Sequence, residues 1–281
     1  MNFFNQKEIK YEMKPLSSLE KVFPDETPVY RMECQLLSGL WGETVSFQVA
    51  YTGDFVMRER LDVRVVSELA EHVHVRTVEM VPVGRATNGI VDDNYLKTTS
   101  GLYPDLLKDL KDGKVIVYSR QWRSLWVDVD ITNEIPAGEY EIELQLIKEG
   151  EVVCSAKQKV TVIGTELPKL DIMHTEWMHA DCLADYYHVE VFSEEHWKLL
   201  ENYFQEYVKR DCNMMLTPLF TSPLDTAIGL ERTTCQLIDV EVKDGEYVFG
   251  FEKLKRWIDL CKKCGIEYFE MSHLFSQWGA K

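Results

Sequence analysis

The chain has 281 residues, 45% hydrophobic and 28% charged, with only 9 prolines, a composition that suits folded globular domains and excludes an intrinsically disordered chain. Its length accommodates one large domain or two of ordinary size, and two are expected. Acidic residues outnumber basic ones 47 to 31, and the formal charge of -16 repels phosphate backbones and anionic headgroups, so neither nucleic acid nor a membrane is an expected partner.

The amino terminus, Met1-Asn-Phe-Phe-Asn-Gln-Lys-Glu-Ile-Lys10, shows no apolar run behind a basic start, and no segment reaches membrane-spanning length. With no signal peptide visible and seven scattered cysteines, an odd number, the expected setting is a reducing cytoplasm with free thiols.

From about Pro28 to Ile163, apolar and polar residues alternate in short valine-rich runs with the period of half-buried strands. The expected strands are Val29 to Leu37, Thr44 to Thr52, Leu61 to Val66, Val73 to Met80, Val115 to Tyr118, Ser124 to Ile131, Gly138 to Ile147 and Val152 to Ile163. Eight short strands with few helical signals predict an N-terminal β-sandwich over residues 1–164. Lys148-Glu-Gly-Glu151 predicts a tight hairpin link. The insert from Arg85 to Gly113 lacks a clear period and reads as a long functional loop or lid.

The pattern changes at Gly164-Thr-Glu-Leu-Pro168, which places a second domain over residues 165–281. There the expected order is strand Lys169 to Thr175, helix Ser193 to about Arg210, strand Asn213 to Phe220, helix Phe251 to Lys263 and strand Ile266 to Ser272. Ser193 is a suitable helix cap and Gly265 a left-handed stop. Within Cys235–Gly250 an Asp-Gly pair flanked by alternating residues predicts a hairpin. Strands alternating with helices predict parallel pairing, here the first three βα units of a (β/α)8 TIM barrel. In such barrels the carboxyl ends of the strands carry the site, so His174 to His188, Phe220 to Cys235 and His273 to Trp278 are expected to converge.

The first of these ends is rich in chemistry. Asp171-Ile-Met-His-Thr-Glu-Trp-Met-His-Ala-Asp-Cys-Leu-Ala-Asp-Tyr-Tyr-His188 offers carboxylates and imidazoles for hydroxyl contacts and an indole for stacking on a sugar face. The plain alternative is a polar loop. His174, His179 and His188 follow no familiar metal-ligand spacing, so no metal and no cofactor is expected. Cys261-Lys-Lys-Cys264 lies late in an amphipathic helix with no second pair, and reads as structural. Neither a Gly-rich phosphate loop nor a Gly-x-Ser-x-Gly elbow occurs. Glycosidic cleavage needs two carboxyl groups, or one acid and a substrate acetamido nucleophile. The only Asp-Glu dipeptide, Asp25-Glu26, sits in a proline-flanked turn of the first half, so no catalytic residue is assigned.

Gly101-Leu-Tyr-Pro-Asp-Leu-Leu107, Leu125-Trp-Val-Asp-Val129 and Pro136-Ala-Gly-Glu-Tyr140 resemble the amino-terminal sandwich of glycoside hydrolase family 123 and its bacterial relatives. His174-Thr-Glu-Trp177 with Asp181, Leu216-Thr-Pro218 and Glu270-Met-Ser-His273 resemble the beginning of that family's catalytic barrel. The resemblance implies action on β-linked N-acetylgalactosamine with retention through the substrate's acetamido group, without a metal. It also implies an adjacent Asp-Glu pair on a later barrel strand, which no barrel position here matches.

Three strands after Pro168 fall short of the eight a closed barrel needs, so the chain is expected to be a truncated portion of a longer hydrolase, inactive alone. The expected substrate-binding residues are His174, Glu176, Trp177, Asp181, His273 and Trp278, with a glycan as partner. The alternative is a non-catalytic carbohydrate-binding or structural β-sandwich module.

Overall fold

The computed structural model describes residues 10–29, 36–55, 57–87, 89–169, 171–220 and 230–272. They fall in two units, Met1–Pro168 and Lys169–Lys281. Fourteen strands and only three α-helices make the described chain β-rich.

The first unit holds ten strands: β1 (Lys10–Ser17), β2 (Leu37–Trp41), β3 (Thr44–Asp54), β4 (Glu59–Val66), β5 (Val73–Val83), β6 (Gly101–Asp109), β7 (Lys114–Val117), β8 (Arg123–Asp130), β9 (Gly138–Lys148) and β10 (Glu151–Glu166). They form two five-stranded sheets, ordered β1-β3-β8-β5-β6 and β2-β10-β9-β4-β7. Alternation of side chains carries Phe47, Val49 and Tyr51 from β3 and Leu125, Val127 and Val129 from β8 into one core. Leu61 of β4, Ile142, Leu144 and Leu146 of β9, and Val160 and Val162 of β10 enter the same core from the other sheet. Burying each such side chain contributes about 1.5–3 kcal/mol, so this shared layer dominates the stability of the unit.

The β9–β10 link turns at Glu149 (φ 53°) and Gly150 (φ 89°), two left-handed positions that match the twist of the strands it joins. Gly39 of β2 is a close-approach glycine: a Cβ there would stand 2.5 Å from Val45 Cγ2 and 2.6 Å from Ile131 Cδ1. All pairings in the two sheets are antiparallel except that of β2 with β10.

Two expectations for this half are corrected. The insert from Arg85 to Gly113 is not wholly a loop, because Gly101–Asp109 pairs with β5 as an edge strand. Pro104 and a register shift between Glu79 and Met80 interrupt the ladder there, and proline is tolerated at such an edge. An additional strand, β1, pairs with β3. Of the expected strand Val29 to Leu37, residues 30–35 lie outside the described residues, and Leu37 opens β2. Asp25 and Glu26 share Lys97, at 3.4 and 2.8 Å, an arrangement that pins the turn to the insert.

The second unit runs α1 (Ala180–Tyr187), α2 (Glu194–Val208), β11 (Met214–Thr217), β12 (Asp239–Lys243), β13 (Glu246–Gly250), α3 (Glu252–Cys264) and β14 (Tyr268–Met271). Ser193 caps α2 by accepting from the His196 backbone N–H. Gly265 (φ 105°) ends α3 in a left-handed cap. β11 and β14 pair in parallel, and the connection between them contains α3. Trp257 is fully buried at the centre of this unit's core, edge-on to Phe204 at 5.0 Å and to Trp197 at 6.5 Å. β12 and β13 form the expected hairpin, turned by Asp244 (φ 53°) and Gly245 (φ 86°).

The strand expected from Lys169 to Thr175 does not form a backbone ladder. Side chains stand in for it: the Asn213 amide donates to Ile172 O at 2.8 Å and accepts from the His174 N–H at 2.8 Å. His174 O then accepts from the backbone of Asn213 and Met214. Two residues on, the Tyr207 hydroxyl accepts from the Glu176 N–H at 2.8 Å and donates to Met214 O at 2.6 Å. The segment therefore tracks beside β11 without regular strand pairing. Nor is the stretch after it a plain loop, since Ala180–Tyr187 is helical.

Candidate functional site

The parallel strands sort their side chains by face. Met215 and Phe269, opposite each other in the register, pack with the helices. Leu216 and Glu270, the next pair along, therefore point to the other face. There Trp177 donates its indole N–H to Glu270 Oε2 at 2.9 Å. The bond restrains the ring while the residue stays 54% exposed.

His174 lies lower. Its ring meets Asp211 O at 3.2 Å, Cys212 Sγ at 3.8 Å and Glu176 Oε1 at 3.5 Å, level with the residues that precede β11 rather than with its carboxyl end. Burial raises the Cys212 thiol above its ordinary range, which leaves it protonated beside the imidazole at neutral pH. Glu176 is exposed.

Asp181 opens α1 and is buried, with both carboxylate oxygens accepting from Arg232: one from Nε and the other from a terminal guanidinium nitrogen at 3.1 Å. The geometry makes it an anchor for the segment after residue 230. Thr233 extends the clamp by donating to Asp185, with its two oxygens at 2.8 and 3.0 Å. Between these elements a small hollow is lined by Met178, His179, Asp181, Leu216, Pro218 and Cys235, at the carboxyl end of β11. Burial, reinforced by the Asp181 charge, pushes the Cys235 thiol up to about 12, so it is not a nucleophile at neutral pH.

A larger hollow lies at the opposite, amino ends of the strands, lined by Lys169, Asp171, Met173, Asn213, Glu267 and Tyr268. Parallel α/β architectures place their chemistry at the carboxyl ends, which favours the Trp177–Glu270 side. Among the described residues no group of three or more His, Cys, Asp or Glu side chains has metal-binding geometry. No described helix is long and apolar enough to cross a membrane.

Of the six expected ligand contacts, the structure brings Trp177 to the carboxyl-end face, groups His174 with Glu176 below it and turns Asp181 onto Arg232. His273 and Trp278 lie outside the described residues. Arg232 and Tyr207 were missed, although an isolated arginine in a polar stretch downstream of two aspartates is a legible sign of an ion pair.

The family model described as the glycoside hydrolase 123 catalytic domain matches residues 177–281. A solved family 123 glycoside hydrolase from Clostridium perfringens, described in terms of glycolipid glycan hydrolysis, is similar over 92% of this chain, with a TM-score of 0.66 and 13% identity. This chain spans 46% of that one, and at such identity the likeness concerns the fold. A β-glucosidase from Listeria innocua aligns over 57% of this chain and 17% of its own, at 10% identity and a TM-score of 0.26, too low to carry an argument. The search of curated proteins found no match. Residues 177–281 thus match the catalytic domain of glycoside hydrolase family 123, and the fold resembles that of a solved member.

Proposed function

We propose that this chain supplies one wall of the glycan cleft of a family 123-type glycoside hydrolase that acts on β-linked N-acetylgalactosamine with participation of the substrate's acetamido group. The second unit is then the opening portion of a (β/α)8 barrel, with the 172–176 track, β11 and β14 as its first three strands. Under this reading Trp177 stacks on a sugar ring, and Glu176 with Glu270 offers acceptors to hydroxyl groups.

The observation that carries the reading is the indole of Trp177, half-exposed and oriented by Glu270 of β14, within the segment that matches the family. An aromatic plane locked by a hydrogen bond to a neighbouring strand serves ligand stacking, whereas core packing would bury it. His273 and Trp278 remain expected contributors from the same matched segment.

Titration of the chain with N-acetylgalactosamine, followed by tryptophan fluorescence or NMR, tests this. Trp177→Ala is expected to weaken binding about tenfold, the loss of one stacking anchor. Binding that survives both Trp177→Ala and Glu176→Ala overturns the assignment and favours a carbohydrate-binding role for the first unit.

A further inference from the structure

His196 is fully buried at the joint between α1 and α2, and both of its ring nitrogens are engaged. A backbone N–H can only donate, so Nδ1, 2.9 Å from the Phe192 nitrogen, is a bare acceptor. A carbonyl can only accept, so Nε2, 3.0 Å from Ala180 O, carries the proton. Together the two contacts admit one species, the neutral imidazole protonated at Nε2. A second proton would set Nδ1–H against the Phe192 N–H, donor facing donor, and that bond would break.

The two contacts hold both ends of the α1 region. Ala180 opens α1, directly before Asp181 and three residues after Trp177. Phe192 closes the link from α1 to α2 in a left-handed conformation, φ 60°, which a bulky side chain rarely adopts. Its ring stacks on Trp197 at 5.2 Å, and the next residue, Ser193, caps α2 by accepting from the His196 N–H. His196 thus ties the start of α1 to the end of the link behind it.

The charges around this imidazole are paired with one another. On α1, Asp181 accepts from Arg232 through both carboxylate oxygens. On α3, Lys253 lies 6.0 Å from the Phe192 ring centre and donates to Asp239. Arg256 lies 4.6 Å from the Trp197 ring centre and grips Glu194 of α2. Glu190 lies in the link, Glu195 beside His196 on α2, and His179 and His188 flank α1. Burial disfavours the imidazolium and outweighs the opposing pull of Ala180 O and the Asp181 charge, so proton uptake favours an opened joint.

We propose that His196 is a pH-sensitive latch: proton uptake at Nδ1 releases the Phe192 link and the start of α1, loosening the segment that carries Trp177. The inference is independent of what the Trp177 face binds. An imidazole freed into water takes up its proton at the ordinary value of 6.5. With the latched form still unprotonated, the open form therefore gains about tenfold between pH 7.5 and 5.5.

Nitrogen NMR of the imidazole and amide exchange, both on the whole chain, test this. At pH 7.5 His196 Nδ1 should resonate as an unprotonated nitrogen and Nε2 as a protonated one, and a protonated Nδ1 overturns the proposal. The protection of the Phe192 amide, corrected for the intrinsic pH dependence of exchange, should fall about tenfold from pH 7.5 to 5.5. The α1 amides should follow it, while those of β10 hold. His196→Asn keeps an oxygen where Nδ1 accepts, and His196→Gln keeps an amide that can donate to Ala180 O. Neither titrates, so each should abolish the pH dependence, whereas His188→Gln should retain it. A flat profile in the unaltered chain, one that persists in a folded His196 variant, or one that disappears in His188→Gln overturns the latch. So does loss of Phe192 protection in step with the whole second unit, because protonation then unfolds that unit instead of opening the joint.

Discussion

Replacing Tyr207 by phenylalanine removes one oxygen atom and, with it, one of the links between the Trp177 segment and the strand pair. The hydroxyl accepts from the Glu176 N–H at 2.8 Å and donates to Met214 O at 2.6 Å, with Glu176 O at 3.0 Å as a second acceptor. Burial holds this phenol above the ordinary tyrosine range, so it remains a donor at neutral pH. Each bond is worth about 0.5–1.5 kcal/mol net, and because Glu176 is exposed its freed N–H can turn to water. The sum is about 1–2 kcal/mol of local stability. Hydrogen exchange reads this directly, since the Glu176 amide has the hydroxyl as its acceptor: exchange is expected to quicken about 5–30-fold in Tyr207→Phe. Amides of β10, in the other unit, are the control and should not change. Unaltered exchange at residues 174–178 in a folded Tyr207→Phe protein would refute the claim that side chains replace the missing ladder.

Three further outcomes are expected. Trp257 is fully buried and its indole N–H has no partner among the described residues, so Trp257→Phe relieves an orphaned donor while losing volume. It should cost less than about 2 kcal/mol by urea denaturation, against about 3–5 for Trp257→Ala, and equal costs would show the N–H to be satisfied. His196 is buried, accepts the Phe192 N–H at Nδ1 (2.9 Å) and places Nε2 3.0 Å from Ala180 O; burial lowers its pKa below 6.5 in the folded state. The unfolded chain then takes up the proton first, so the stability of the second unit should be full above about pH 6.5 and fall as the pH drops below it. His196→Gln should flatten the unfolding midpoint between pH 7.5 and 5.5, and an unchanged slope would exclude this imidazole. Gly39→Ala forces a methyl group against the stiff side chain of Val45, and thermal unfolding should show the first unit destabilised by about 1–3 kcal/mol, with no loss if β2 can shift aside.

Much of the fold is legible where local signals and burial agree. β3, β8 and β9 alternate because one face of each enters the core, and that period survives in the sequence. α2 announces itself through Ser193 and its two glutamates, α3 through Gly265, and the β12–β13 hairpin through Asp244-Gly245. Legibility fails where partners are distant or unusual. β6 lies at a sheet edge with Leu102 and Leu106 exposed and Pro104 within it, so burial imposes no period. The 172–176 track is held by Asn213 and Tyr207, a solution that leaves no mark in its own residues. α1 is short and ends on a left-handed histidine, His188 (φ 55°), rather than on glycine. At the site, a run of polar residues drew Asp181 toward solvent, whereas its true environment depends on Arg232, fifty-one residues away.

The parallel pairing of β2 with β10 has a bearing on how the chain acquires its shape. β2 is made early, yet its hydrogen-bonded neighbour in its sheet is β10, the last strand of the unit, with Leu37 beside Val160 and Leu40 beside Ile163. During synthesis Leu37, Leu40 and Trp41 therefore wait without a ladder until the ribosome has released nearly the whole unit. β9, which hairpins with β10, can deliver that strand ready-paired. A nascent chain arrested before Val160 would expose the edge formed by β2, and holdase chaperones would be expected to bind it there.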